Sequence, residues 1–167
     1  AESVLLYPSA YRPSEPEENP DGTITEGGGR HFGDAWHRGP VILSWPDALS
    51  GARRTRKDGM NVVFHEWAHK LDMLGGDLVG TPPLEGRVAP GRWRSVMQAS
   101  FEALAGDDEA GRRTVLDPYG TTDEAEFFAV ATEAFFERGA ALRSRDSDLY
   151  EVLRDYYGQE TAGWPNR

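Results

Sequence analysis

At 167 residues with no cysteine, the chain is long enough to bury a core as one domain spanning 1–167, without disulfides and without any cysteine-based metal or redox site. A formal net charge of −10 argues against nucleic acid or an anionic membrane as a main partner, and no apolar run approaches the roughly 20 residues of a membrane-crossing helix. The chain opens Ala1-Glu2-Ser3, with neither a methionine nor a signal sequence, so it is expected to be processed or cut from something longer.

Ser3–Tyr7 reads as a short strand stopped by Pro8. Residues 8–30 are rich in Pro, Glu, Asp and Gly and read as a surface loop, with a short hairpin around Thr23–Thr25. Gly27-Gly28-Gly29 lacks the strand before it and the helix after it that a phosphate-binding loop needs. His31 and His37 have no third ligand in register and read as strand and turn surface. Val41–Trp45, closed by Pro46, is a compact apolar run and is expected to be a strand, either in the core or along a cleft edge. Ala48–Gly59 carries Arg53, Arg54, Arg56 and Lys57 without interleaved aromatics, and reads as a solvated loop.

The most informative stretch follows. Asn61–Leu74 contains His65-Glu66-Trp67-Ala68-His69, an HExxH pattern. In a chain of this length such a pattern arises by chance about 1% of the time. On a helix, residues four apart share a face, so His65 and His69 can present two imidazoles to one metal ion. Glu66 lies beside them and can take a proton from water. Val62, Val63, Phe64, Trp67, Ala68 and Leu71 make most of this helix apolar, hence buried. Burial of imidazole and carboxylate groups is costly unless they are paired or bound to metal. Asp58 or Asn61 is suited to cap the start, and Gly75-Gly76 to end it. Asp72, one turn after His69, is placed to accept a hydrogen bond from a ligating histidine, or is an ordinary charge near a helix end.

Gly75–Pro90 reads as a loop that lines the cleft. Gly91–Ala105 forms an amphipathic helix burying Trp93, Val96, Met97, Phe101 and Leu104. After a polar connection, Phe127, Val130, Ala131, Ala134 and Phe135 mark a helix running to about Glu137. Asp146–Tyr157 is a last helix, capped by Ser147 or Asp148 and ended by Gly158, and the tail to Arg167 reads as loose.

A catalytic zinc takes three protein ligands and keeps a fourth position open. The pattern with a glycine and a third histidine after HExxH is excluded, because those positions hold Asp72 and Gly75. A glutamate about twenty residues on would have to be Glu85, in a loop. Glu126 is the better choice on spacing, although Asp123-x-x-Glu126 also has the form of a capping box. Glu133, two turns further on, is the rival ligand.

Asn61–Met73, Thr81–Leu84, Tyr119–Phe136 and Gly39–Trp45 resemble the bacterial Mlc titration factor A (MtfA) family of zinc-dependent peptidases. That family is itself similar to the catalytic domain of anthrax lethal factor. The resemblance rests on HEWAHKLD and on Tyr119 followed by Glu126-Phe127-Phe128-Ala129, and it extends from about Ser3 to Tyr157. It implies that His65, His69 and Glu126 bind Zn2+, that Glu66 is the general base, and that Tyr119 donates to the developing oxyanion. On that reading loss of Glu126 empties the site and loss of Glu133 does not. Members of the family usually carry more sequence before the first strand. Their association with a transcriptional repressor of sugar uptake has no assignable residues here.

The expected fold is α+β and zincin-like, a small twisted sheet packed on the HExxH helix and on a second helix carrying the glutamate ligand. The expected function is gluzincin-type hydrolysis of peptide or protein substrates, in a bacterial cytoplasm. The rival is a non-catalytic zinc-containing module that docks to a regulatory protein, with a zinc hydrolase of non-peptide amides as a third reading.

Overall fold

A computed structural model describes residues 3–8, 33–35, 41–53 and 59–164. The hairpin near Thr23–Thr25, the side chains of His31 and His37, most of the basic stretch and Asp58 lie outside them. The described chain is mostly helical, with one small sheet.

Three strands form that sheet in the order β1-β3-β2. Strand β1, Val4–Tyr7, runs parallel to β3, Val41–Ser44, with Val4 opposite Val41. Strand β2, Gly33–Ala35, is antiparallel to β3 on its other edge, with Gly33 opposite Leu43. Val41 and Leu43, two apart and therefore on one face, are both buried. Tyr7, Leu6, Leu5 and Val4 are all exposed, so β1 is an edge with little core beneath it.

The expected strand stops at Ser44, and helix α1 spans Trp45–Arg53. Pro46 is the reason. Proline closes a strand, but its fixed φ and missing N–H also suit the first turn of a helix. The basic stretch expected to be loop thus begins inside a helix.

Helix α2, Val62–Met73, carries the HExxH pattern. The Asn61 side chain accepts the Val63 N–H at 3.1 Å, as expected of a cap. At its other end the Gly75 N–H donates to the Asp72 carbonyl at 2.9 Å, and Gly76 turns the chain at φ +111°.

Helix α3 spans Pro90–Glu109 and runs four residues past its expected end at Ala105. Asp107 holds this polar extension, receiving Arg112 at 2.7 Å and Arg145 at 2.6 Å. A 3₁₀ turn, Pro118–Thr121, leads into α4, Glu124–Glu137. Asp123 caps α4 by accepting the Glu126 N–H at 2.9 Å. Helix α5, Gly139–Arg145, has no counterpart in the sequence reading. Helix α6, Ser147–Tyr157, is capped by Asp146, not by Ser147 or Asp148. Asp146 also accepts the Ser100 hydroxyl at 2.6 Å, tying α6 to α3.

The core forms around α4, which is buried on nearly every side: Phe127, Phe128, Ala129, Val130, Ala131, Ala134 and Phe135 all belong to it. Trp93 from α3 stacks edge-on against Phe128 and Tyr156, with ring centroids 5.7 and 5.4 Å away. Burial of each such ring contributes about 1.5–3 kcal/mol. The tail is docked as far as Trp164: Thr161 is buried, and the Ala162 N–H donates to the Tyr150 hydroxyl at 2.9 Å.

The layering departs from the expected one. The sheet packs on α1 and α2, and α2 packs on α4, whose other neighbours are α3, α5, α6 and the 3₁₀ turn. Among the described residues the sheet therefore rests on the HExxH helix, with α4 behind it rather than beside it. Among the described residues no helix is long and apolar enough to cross a membrane.

Candidate metal centre

One face of α2 presents His65, Ala68, His69 and Asp72 toward α4, following the helical repeat. Opposite them, in the first turn of α4, stands Glu126. Capping by Asp123 holds the backbone of this turn. The capping box is only half formed, because the Glu126 carboxylate turns toward α2 instead.

Three donor atoms converge. His65 Nε2 lies 3.0 Å from Glu126 Oε2, His69 Nε2 lies 3.6 Å from the same oxygen, and the two Nε2 atoms are 3.2 Å apart. Ligands about 2.0–2.1 Å from a tetrahedral ion stand roughly 3.3–3.4 Å from one another. The observed triangle brackets that value. His65, His69 and Glu126 are thus positioned to bind a metal.

The polar groups fit the same interpretation. Glu126 Oε2 is buried and gains no hydrogen bond of good geometry, which leaves a carboxylate oxygen to be satisfied. Burial works to raise the Glu126 pKa, but the adjacent His65 and His69 outweigh it and bring it down to about 2. Burial likewise works to lower the His65 pKa. Its close contacts with Glu126 and Glu133, and their charges, raise it to about 10. A divalent cation at the centre of the triangle would satisfy the same carboxylate.

Glu133 does not join the triangle. Its Oε1 lies 2.8 Å from His65 Nδ1, on the far side of the imidazole. The rival ligand is therefore a partner of a candidate ligand. Its place two turns beyond Glu126 fits this position behind the ring. Glu85 lies in the loop after α2, at φ +48°, and is not part of the donor set.

Asp72 also differs from expectation. It is fully buried, and its two oxygens accept the Gly80 N–H at 2.7 Å and the Thr81 N–H at 2.8 Å. His69 Nδ1 has no hydrogen-bond partner, so Asp72 does not serve the histidine. It pins the loop after α2. Trp93 Nε1 donates to the Gly80 carbonyl at 3.2 Å. At φ +68° Gly80 lies so close to α4 that a Cβ would stand 2.3 Å from the Glu124 carbonyl oxygen. Only glycine fits there. The rest of that loop lines a cavity of about 220 Å³ with Leu71, Leu74, Tyr156 and Tyr157, and none of the site residues borders it.

Tyr119 sits on the 3₁₀ turn, with its ring centroid 6.1 Å from that of His65. Asp117 accepts its N–H at 2.9 Å, and the Thr122 hydroxyl donates to its carbonyl at 2.7 Å. The side chain is half-exposed. Burial of its phenol, and then the charge and hydrogen bonding of Glu126, keep the hydroxyl protonated above its ordinary range. It remains a donor. Glu66 is buried on α2, and its charge is also felt at Tyr119.

The sequence reading missed two features that the structure adds. The Asn61 backbone N–H donates to Glu133 Oε2, and Asn61 Nδ2 donates to Glu137 Oε1 at 2.9 Å. Two acidic residues one turn apart in the mainly apolar second half of α4 are the available signal.

Residues 1–158 match the glucose-regulated metallo-peptidase M90 family. The chain is 40% identical over 158 residues to an uncharacterised protein of Synechocystis sp., a match covering 93% of this chain and 57% of that one. It is 33% identical over 160 residues to Mlc titration factor A of Serratia proteamaculans, covering 94% and 60%. For Mlc titration factor A of Pectobacterium atrosepticum the identity is 31% over 166 residues, covering 94% and 59%. The chain spans about three-fifths of the length of these relatives. With that coverage of its own length, and with His65, His69 and Glu126 positioned to bind a metal, the chain belongs to the M90 metallopeptidase family, the family of Mlc titration factor A.

Proposed function

We propose that this chain is a zinc-dependent peptidase of the gluzincin type, with a zincin-like arrangement of sheet, HExxH helix and glutamate helix. The observation that carries this reading is the triangle of His65 Nε2, His69 Nε2 and Glu126 Oε2, with edges of 3.0–3.6 Å. Two imidazoles and one carboxylate form a donor set characteristic of catalytic zinc, with room for a fourth position. Zinc held there supplies Lewis acidity toward water and toward the scissile carbonyl.

The chain's own groups do the rest. Glu66 accepts a proton from the attacking water and delivers it to the amine nitrogen as the C–N bond breaks. The Tyr119 hydroxyl, kept protonated, donates to the oxygen that becomes negative in the tetrahedral intermediate. Glu133 accepts from His65 Nδ1, leaving the Nε2 lone pair free to face inward.

The test is hydrolysis of a mixed peptide library by zinc-loaded protein, with Glu66→Gln as the paired control. The variant is expected to keep its zinc and lose about 10²–10⁴-fold in rate. Hydrolysis retained in Glu66→Gln would reject the general-base role. Tyr119→Phe is expected to lose about 10²-fold or more in turnover.

A second reading draws on the relatives' name. A titration factor for Mlc is named for what it does to another protein, and by analogy this chain would dock to a regulatory protein. Zinc uptake without hydrolysis by either form would favour that reading.

A further inference from the structure

We infer that Glu133 is a positioning residue for the metal centre, and that it works only as a carboxylate because it must accept two hydrogen bonds at once. The inference rests on the function proposed above and names a residue outside the donor set. One oxygen of Glu133 faces His65 Nδ1 at 2.8 Å, and the other accepts the Asn61 backbone N–H. The first contact sets which nitrogen of His65 carries the proton. With Nδ1–H donated to Glu133, the Nε2 lone pair points at the triangle.

The second contact makes Glu133 part of the start of α2. In a capping box the residue at the third helical position reaches back to the N-cap N–H. Here that position is Phe64, which cannot. Glu133 on α4 takes the role from another helix. Asn61 is also the residue whose side chain caps Val63 N–H. One buried carboxylate thus joins a candidate ligand, four residues into α2, to the residue that begins the helix. Rotation of the His65 ring and displacement of the α2 N-terminus are opposed by the same group.

The chemistry separates Glu133 from Glu137, the next acid along α4. Both partners of Glu133 are donors, so an amide in its place would satisfy one and turn its own NH₂ toward the other. Glu137 Oε1 receives Asn61 Nδ2, and an amide oxygen accepts that bond equally well. The same conservative change should therefore harm one position and spare the other.

The experiment measures zinc affinity by competition with a chromogenic chelator for the wild type, Glu133→Gln and Glu137→Gln, with the melting temperature of each metal-free protein alongside. Glu133→Gln is expected to bind zinc 10–100-fold more weakly, while Glu137→Gln binds as the wild type does. Unchanged affinity in Glu133→Gln, or equal weakening in both variants, would overturn the inference. Should Glu133→Gln fail to fold, the wild type still decides. Long-range nitrogen–proton NMR correlations of the zinc-loaded protein should show a slowly exchanging proton on His65 Nδ1. A proton on Nε2 instead would overturn the inference. A wild type that takes up no zinc overturns the proposed function and this inference together, whereas zinc binding indifferent to Glu133 overturns this inference alone. The outcome also revises the sequence reading, on which loss of Glu133 leaves zinc content unchanged.

Discussion

Helices α2 and α4 share the candidate centre but are built on opposite plans. Helix α4 is surrounded: nearly all its residues are buried, and its acids Glu126, Glu133 and Glu137 all reach α2 or its cap. Helix α2 is apolar on its outer face as well, yet Trp67 is 46% and Leu74 71% exposed there. Packing secures α4. Helix α2 lies between α4 and the sheet, and polar anchors fix its ends, at Asn61 through two acids of α4 and at Asp72 through the Gly80–Thr81 loop. Position in a centre can thus be enforced either by bulk burial or by a few polar anchors at the ends of an element.

The comparison can be broken by mutation. The largest effect is expected on α4. Phe128→Ala opens a cavity beneath Trp93 and Tyr156 and should cost about 3–5 kcal/mol in denaturant unfolding. Next comes the anchor loop. Gly80→Ala puts a Cβ against the Glu124 carbonyl at a positive φ, and should cost about 2 kcal/mol or more by the same measurement. Asn61→Ala removes the side-chain cap and the hydrogen bond to Glu137 but leaves its backbone N–H, and should cost about 1–2 kcal/mol. Leu74→Ser, on the outer face of α2, should stay within about 0.5 kcal/mol of wild type. A loss at Leu74 as large as that at Asn61 would mean that the outer face carries as much stability as an end anchor, and the contrast would fail.

Much of this was legible in the sequence, because the signals were local. The HExxH pattern, the Asn61 cap, the glycines after α2 and the stripe of α4 are each contained in one helix. Glu126 stood out on spacing, and the family resemblance named it. What stayed hidden has a physical reason in each case. Pro46 is ambiguous between ending a strand and starting a helix, so the sequence around α1 has the signature of strand and loop. Asp146 rather than Ser147 or Asp148 caps α6, one residue outside the expected choice. Asp72 lies on the same face as the histidines, but its carboxylate serves backbone N–H groups eight and nine residues on. Glu133 and Glu137 meet partners 68 to 76 residues away, beyond any periodicity.

That separation has a consequence for the chain as it is made. At about 5–20 residues per second, roughly 3–12 s pass between synthesis of His65 and of Glu126. The histidines leave the ribosome with neither their third donor nor the acid behind His65. Contacts so distant in sequence form late, because loop-closure entropy must be overcome first. The candidate metal centre is therefore assembled only when α4 docks, and an unfinished chain does not yet carry it.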